Sequence, residues 1–334
     1  MKKELLLILP IIFIVLSSGC VDDISEMFFP RGDKQATDVI ILKDLKTLPS
    51  EVLPGQDIKI QAVIENIGDE TVPQTTLNNY ADQKLEVILY DYCNGLFHYK
   101  GKDGISCPIG ATVTDYGCEM ENFVPGEAVI QWTLKADEEI NLETFCNFKV
   151  LVRYPYTTKT LTDIHFIDYY EMQRLVDQGK RPTKTSSPRA TYGPIRIYVT
   201  SKDDQPIPVK NGVKETMTLE LEILNEGSGF LASEHEINNE ETISISKDDI
   251  NIEVIGQDSN NIADNLEDCI NEWQNPSKTE TRPIKLVDGE AKRICQVYTP
   301  YSENIANEVP KEITGMIEYI YEFRESVEGS IRQS

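Results

Sequence analysis

Histidine is scarce in this chain, with three in 334 residues, and tryptophan scarcer, with two. His98, His165 and His235 each stand alone, with no second His two to four positions away. No helical or strand pair of imidazoles can therefore grip a metal, and a Ser–His–Asp site would have to be assembled from one isolated ring. No Gly-x-Ser-x-Gly elbow, phosphate-cradling glycine loop or dinucleotide fingerprint occurs. An exported hydrolase is accordingly the weakest of the functional classes considered. Paired Cys-x-x-Cys zinc spacings are missing too. Asn275-Pro276-Ser277 approaches a glycosylation acceptor, but its proline blocks it. Cations are outnumbered, 32 Lys and Arg against 56 Asp and Glu, for a net charge of −24 and a pI near 4.5. That balance argues against nucleic acid and against a surface that lies on anionic lipid.

Apolar residues are concentrated at the start. Lys2 and Lys3 precede Leu5 to Leu16, a run interrupted only by Pro10. Its length suits a signal-peptide core and falls short of the roughly 20 residues of a membrane span. Ser17, Ser18 and Gly19 are small, as a peptidase requires beside its cut, and Cys20 offers a thiol. The stretch resembles the signal peptide of prokaryotic lipoproteins, with Ser18-Gly19-Cys20 matching the end of the lipobox. It departs at Ser17, where the family usually has Leu; Leu16 lies one position further back. The resemblance implies removal of residues 1–19 and a diacylglyceryl lipid on Cys20. Two acyl chains make a firm anchor where one does not. The competing readings are an uncleaved N-terminal anchor and an ordinary secretory signal. Residues 20–36, with Met27-Phe28-Phe29-Pro30, then read as a tether.

Six cysteines remain: Cys93, Cys107, Cys118, Cys146, Cys269 and Cys295. An even number in an exported chain points to disulfides. If the two halves are separate domains, Cys269–Cys295 follows, and the other four allow three pairings.

The clearest strand is in residues 52–68. Ile58, Ile60, Ala62 and Ile64 alternate with polar neighbours, broken only by Val63 on the outer face, the period of a half-buried strand. Pro54-Gly55 supplies the turn before it, and Asn66-Ile67-Gly68 ends it with residues that tolerate positive φ. The same layout returns 159 residues on, in Met217, Leu219, Leu221 and Ile223 followed by Asn225-Glu226-Gly227. Leu85, Val87 and Leu89 match Ile250, Ile252 and Val254. Val124-Pro125-Gly126-Glu127 matches Val287-Asp288-Gly289-Glu290. Val152, Tyr154 and Tyr156 match Ile317, Tyr319 and Tyr321, 165 residues on. The near-constant offset indicates an internal duplication, with about six extra residues between Gly227 and Asp249 in the second copy. Short strands separated by Gly, Pro, Asn and Asp indicate antiparallel sandwiches. The recurring tyrosines read as a structural ring at the rim or core edge.

The Pro-Gly-Gln turn, the amphipathic strand after it and the Asn-x-Gly end are similar to the immunoglobulin-like modules of prokaryotic surface proteins, notably the cell-adhesion-related (CARDB-type) domain. The resemblance implies about seven strands per module, and spacing or adhesion in place of chemistry.

The expected fold is thus all-β: two tandem immunoglobulin-like sandwiches over 37–179 and 191–326, a linker at 180–190 and a polar tail at 327–334. Two short helices interrupt it. One covers 169–178, capped by Asp168 with Glu171 completing a capping box, and presents Tyr169, Met172, Leu175 and Val176 on one face before Gly179. The other covers 262–273, with Ile262, Leu266, Cys269, Ile270 and Trp273 at helical spacing. Cys93 to Cys118 reads as a disulfide-held loop. The acidic pairs Asp203-Asp204 and Asp248-Asp249 flank strands where calcium could bridge carboxylates, but neither matches the twelve-residue calcium loop. Those pairs, and Glu234-His235-Glu236 with Glu240 and Glu241, read best as solvated turns. No cofactor is expected beyond the lipid. The leading reading is a non-enzymatic, extracytoplasmic, lipid-anchored spacer, adhesive or assembly module, with the membrane and other envelope proteins as partners. Its Ile-rich, Lys-containing composition points to an archaeal source. The alternative is a ligand-binding lipoprotein of a transport system, which would normally need two α/β lobes.

Overall fold

The computed structural model describes residues 38–74, 83–232, 242–243, 253–254, 260–274, 284–300, 305 and 307–333. The signal segment, Cys20 and the tether lie outside them. So do Asp248-Asp249, Ile250, Ile252, the Glu234-His235-Glu236 cluster and most of the stretch between Gly227 and Asp249 where the insertion is expected. Thr37–Ser334 forms one compact unit.

The fold is all-β. In the first half the strands are β1 (Ile40–Leu48), β2 (Glu51–Val52), β3 (Asp57–Asn66), β4 (Leu85–Asp91), β5 (Phe97–Tyr99), β6 (Ile105–Ser106), β7 (Thr112–Val113), β8 (Gly117–Met120), β9 (Gly126–Ala136) and β10 (Thr144–Asp168). Helix α1 (Tyr169–Asp177) follows. The second half holds β11 (Arg189–Ala190), β12 (Ile195–Ser201), β13 (Ile207–Val209), β14 (Thr216–Asn225), β15 (Phe230–Leu231), β16 (Thr242–Ile243) and β17 (Glu253–Val254). Helix α2 (Asn260–Gln274), β18 (Ile284–Lys285), β19 (Glu290–Tyr298) and β20 (Val309–Ile331) complete it.

Two strands organise everything else. β10 and β20 are 25 and 23 residues long, and they pair antiparallel from Thr144↔Ile331 to Phe166↔Val309. Along its first part β10 also pairs with β4, and along its last part with β11 and β13. β20 starts beside β17, passes β15 and ends parallel to β2. Each half therefore takes one sheet strand from the other.

In the first half, β1-β3-β9-β5 faces β4-β10-β20. This is the ABED-against-CFG arrangement of the immunoglobulin sandwich, with β20 in the G position. In the second half, β12-β14-β19 faces β17-β20-β10, and β10 takes that position. Phe97 of β5 meets Phe148 of β10 edge-on, ring centroids 5.0 Å apart, across the first interior. Gly329, near the end of β20, packs against Phe148, Ile58 and Thr47 of the same core. In the second interior Gly315 of β20 sits against Ile197 and Val199 of β12.

The exchange revises the expected domain plan. The halves are not independent, because the strand that would close each one belongs to the other. Residues 180–190 are not a free spacer: Lys184 N donates to Gln205 O, and Arg189–Ala190 pairs with β10. Nor are 327–331 a polar tail, since β20 runs through them and Ser330 and Ile331 are buried.

The duplication is visible in the register. Pro155 pairs with Ile320, its own counterpart 165 residues on, and Tyr154 and Tyr156 pair with Tyr321 and Tyr319. A pseudo-twofold axis thus passes through the Pro155–Ile320 pair. The matching strand ends close in the same way. Gly68 N donates to Asn66 Oδ1, and Gly227 N to Asn225 Oδ1. Each Asn Nδ2 then reaches the carbonyl four residues on. The turn depends on the Asn side chain, and neither Gly68 nor Gly227 has the positive φ expected of it.

Alternation places the cores as read. Ile58, Ile60, Ala62 and Ile64 are buried, as are Met217, Leu219, Leu221 and Ile223. On the outer face Val63 finds an apolar neighbour in Val129, directly opposite. Both helices form at the expected places. α2 buries Ile262, Leu266, Cys269 and Ile270 and half-buries Trp273. On α1, Tyr169, Met172 and Leu175 are half-buried, while Val176 is exposed. Asp168 Oδ1 accepts from Tyr170 N and Glu171 N, both at 2.9 Å. The capping box is only half made, because Glu171 turns its carboxylate to Arg174 at 2.7 and 2.6 Å. Replacing Asp168 with Ala should cost the helix about 1 kcal/mol, read as roughly fivefold faster amide exchange over its first turn. Unchanged exchange there would show the cap to be dispensable.

Candidate functional site

The pseudo-twofold axis gathers four tyrosines on the inner face of the long ladder. Tyr154, Tyr156, Tyr319 and Tyr321 have adjacent ring centroids 5.9 to 6.5 Å apart. All are buried, with exposures of 0 to 3 %, so the structural ring that their recurrence suggested, at a rim or core edge, lies inside the core. Such rings stay buried only where the hydroxyls are accommodated. Tyr319 Oη lies 2.8 Å from Thr158 Oγ1 and accepts from Ile195 N. Tyr321 Oη accepts from Gly229 N at 2.6 Å and donates to Asn225 Oδ1 at 3.4 Å. Tyr154 Oη faces the Ile40 backbone amide outside ordinary hydrogen-bond geometry.

Burial is the main force on these phenols, because the phenolate would have to leave water. It drives Tyr154, Tyr319 and Tyr321 well above the usual tyrosine range. Asp38 adds to this at Tyr321 and Tyr154. Tyr156 is pushed up to about 12, with Glu70 and Asp69 contributing after burial.

Asp38 closes the cluster between the halves. Its carboxylate accepts from Ser228 Oγ at 2.6 Å and from Ser228 N. Close approach demands glycine at two positions: a Cβ on Gly227 would strike Tyr321 Oη and Asp38, and one on Gly193 would strike Thr158 Oγ1.

A second polar row crosses the outer face of the ladder. Register sets Glu119, Glu86, Arg153, Glu322 and Phe230 side by side on five strands. Arg153 Nε and Nη2 donate to Glu322 Oε2 at 2.9 and 2.7 Å, and Arg324 Nη2 to Oε1 at 2.8 Å. The Glu322 side chain is 3 % exposed. Arg324 also lies over the Phe230 and Tyr90 rings, a cation–π arrangement. Glu86 has its pKa raised, by burial first, with Arg153 opposing.

The structure joins Cys269 to Cys295, so that α2 is stapled to β19. It also selects one of the three pairings left open, Cys93–Cys146 and Cys107–Cys118. The segment from Cys93 to Cys118 is more than a loop. β5 and β6 pair along β9, and β7 pairs with β8. Both repeats thus carry a disulfide-braced insert beside the same strand, β9 or β19.

The histidines are not brought together. His98 Nε2 lies 2.7 Å from Asp137 Oδ2 on the surface. His165 Nδ1 is 3.1 Å from Glu308 Oε1, without hydrogen-bond alignment. His235 is outside the described residues. Asp203 is a turn residue whose Oδ2 accepts from Thr218 N at 2.6 Å, with Asp204 exposed beside it. Among the described residues no three His, Cys, Asp or Glu side chains gather as a metal site, and no helix is long and apolar enough to cross a membrane. Sequence reasoning missed Asp38 and the Arg153–Glu322–Arg324 triad. The one available signal was charge on strands otherwise reading as buried.

No protein-family model matches the chain, and no curated protein matches it. Among solved structures it is similar to the crystal structure of collagen adhesin (CNA) from S. aureus, at 14% identity over 88% of this chain and 93% of that chain. The TM-score of 0.15 is too low to carry any argument about function.

Proposed function

We infer that the protein is a non-enzymatic, lipid-anchored protein of the extracytoplasmic membrane face, serving as a spacer, adhesive or assembly module. The observation that carries this reading is the fusion of two immunoglobulin-like sandwiches through shared strands, behind a stretch that resembles a lipoprotein signal ending in Cys20. Three disulfides suit an oxidising compartment. The polar side chains that converge in the interior hold the halves to each other, which is a structural task. An all-β body does not favour a transport receptor built of two α/β lobes. Metabolic labelling with a precursor of the host's membrane lipids should mark the wild-type chain and leave Cys20→Ala unlabelled and released from membranes. Membrane retention without label on either protein would sink the anchor.

A further inference from the structure

We propose that the exchanged strands make the chain a load-bearing strut, one that resists tension between its two ends as a single unit. The argument is geometric. The chain enters the fold at Asp38, beside Tyr321 near the middle of the long ladder. It leaves at Arg332, beyond Ile331, where the ladder ends against Thr144. β1 runs from Ile40, near the middle, antiparallel to β3 over Ile40↔Asn66 to Leu48↔Lys59. Tension on Asp38 therefore drags β1 along its own axis across β3. Tension on Arg332 drags β20 along its own axis across β10, to which every one of its 23 residues is paired.

At the same end β20 is held on its other edge by parallel β2. Ser330 N donates to Ser50 O, and Arg332 N to Val52 O. Load applied along a strand is shared by all its cross-strand bonds, which must then fail together. Load applied across a strand end opens them one at a time. Both exits from this fold are loaded in the first way. The strand exchange adds a second consequence. β20 cannot leave the first half without also sliding through the second, so neither half can yield alone. Asp38, bonded to Ser228 across the axis, ties the entry point to both halves.

The proposal rests on the spacer reading only for the origin of the load, since an anchored surface protein is pulled from its ends. Its test depends on the fold alone, and lipid labelling of Cys20 tests the anchor separately. The full chain is stretched by single-molecule force spectroscopy in two geometries. Handles at the two ends give axial load. A handle at position 142, in the exposed turn before β10, and another at the C-terminal end open the ladder from its Thr144–Ile331 end. Under axial load we expect one rupture releasing about 100 nm of chain at roughly 3.4 Å per residue, at least twofold higher in force than in the opening geometry. The disulfides shorten the release unless they are reduced, so both states are measured. Equal forces in the two geometries would overturn the proposal. So would two successive half-length steps under axial load.

Discussion

Above pH 10 the four tyrosines at the pseudo-twofold axis should by themselves remove about 5 kcal/mol of stability per pH unit, because each buried phenol contributes about 1.4 kcal/mol per unit. Tyr154, Tyr156, Tyr319 and Tyr321 all have their pKa raised above the ordinary value of 10.0, chiefly by burial. Below pH 10 both folded and unfolded chains keep these protons, and the stabilisation is complete. Above it the unfolded chain releases them while the folded chain holds them, so stability falls as pH rises. The fall continues at full slope to about 12, where Tyr156 begins to ionise in place. Two pH units would then remove about 10 kcal/mol, comparable with the whole stability of an ordinary domain. Phenolate absorbance followed beside far-ultraviolet circular dichroism should show at least five of the fifteen tyrosines silent until the sheet signal collapses: these four and Tyr99, whose pKa burial also raises. Titration of all fifteen near pH 10 with the sheet intact would refute the burial. Tyr154→Phe should lower the slope by about 1.4 kcal/mol per pH unit with little loss at neutral pH, since its hydroxyl has no well-formed bond to lose.

These tyrosines also mark where the sequence stops being readable. Period two placed Ile58 to Ile64 and Met217 to Ile223 on the core face, and period 3.6 placed Ile262, Leu266, Cys269 and Ile270. Both signals are local. The repeat offset is local too, in that it compares one stretch with another. What it cannot express is which copy of a strand fills which sheet. A strand that serves one sandwich and then a second has the same alternation as a strand that serves one. β10 and β20 therefore read as ordinary final strands whose tyrosines belonged at a rim or core edge. Only the register, with Tyr154 opposite Tyr321, buries both rings at once. The Arg153–Glu322 pair spans the two repeats, and Asp38 reaches Ser228. Neither follows from any spacing rule, because both depend on how the copies meet.

That meeting can be tested through Arg153. Arg153→Ala should destabilise the whole unit by about 3 kcal/mol, the lower end of the range for breaking a buried pair, because Arg153 is itself a third exposed. The loss is asymmetric. Without Arg153, Glu322 stays buried with Arg324 as its one remaining cation among the described residues, and Arg324 is 45% exposed. Glu86, opposite Arg153 on β4, loses the charge that offsets its burial. Glu322→Ala instead removes the buried carboxylate and leaves two guanidiniums that reach water, so it should cost less. The double variant should then resemble Glu322→Ala more than the sum of the two. Because Arg153 lies in the first repeat and Glu322 in the second, the coupling also reports on cooperativity. In a Trp273→Phe background, which leaves Trp132 as the sole tryptophan, chemical denaturation followed by fluorescence in the first half and by amide exchange along β12 and β14 in the second should shift together. If Arg153→Ala moved the Trp132 transition and left β12 and β14 untouched, the two sandwiches would be separable despite their shared strands.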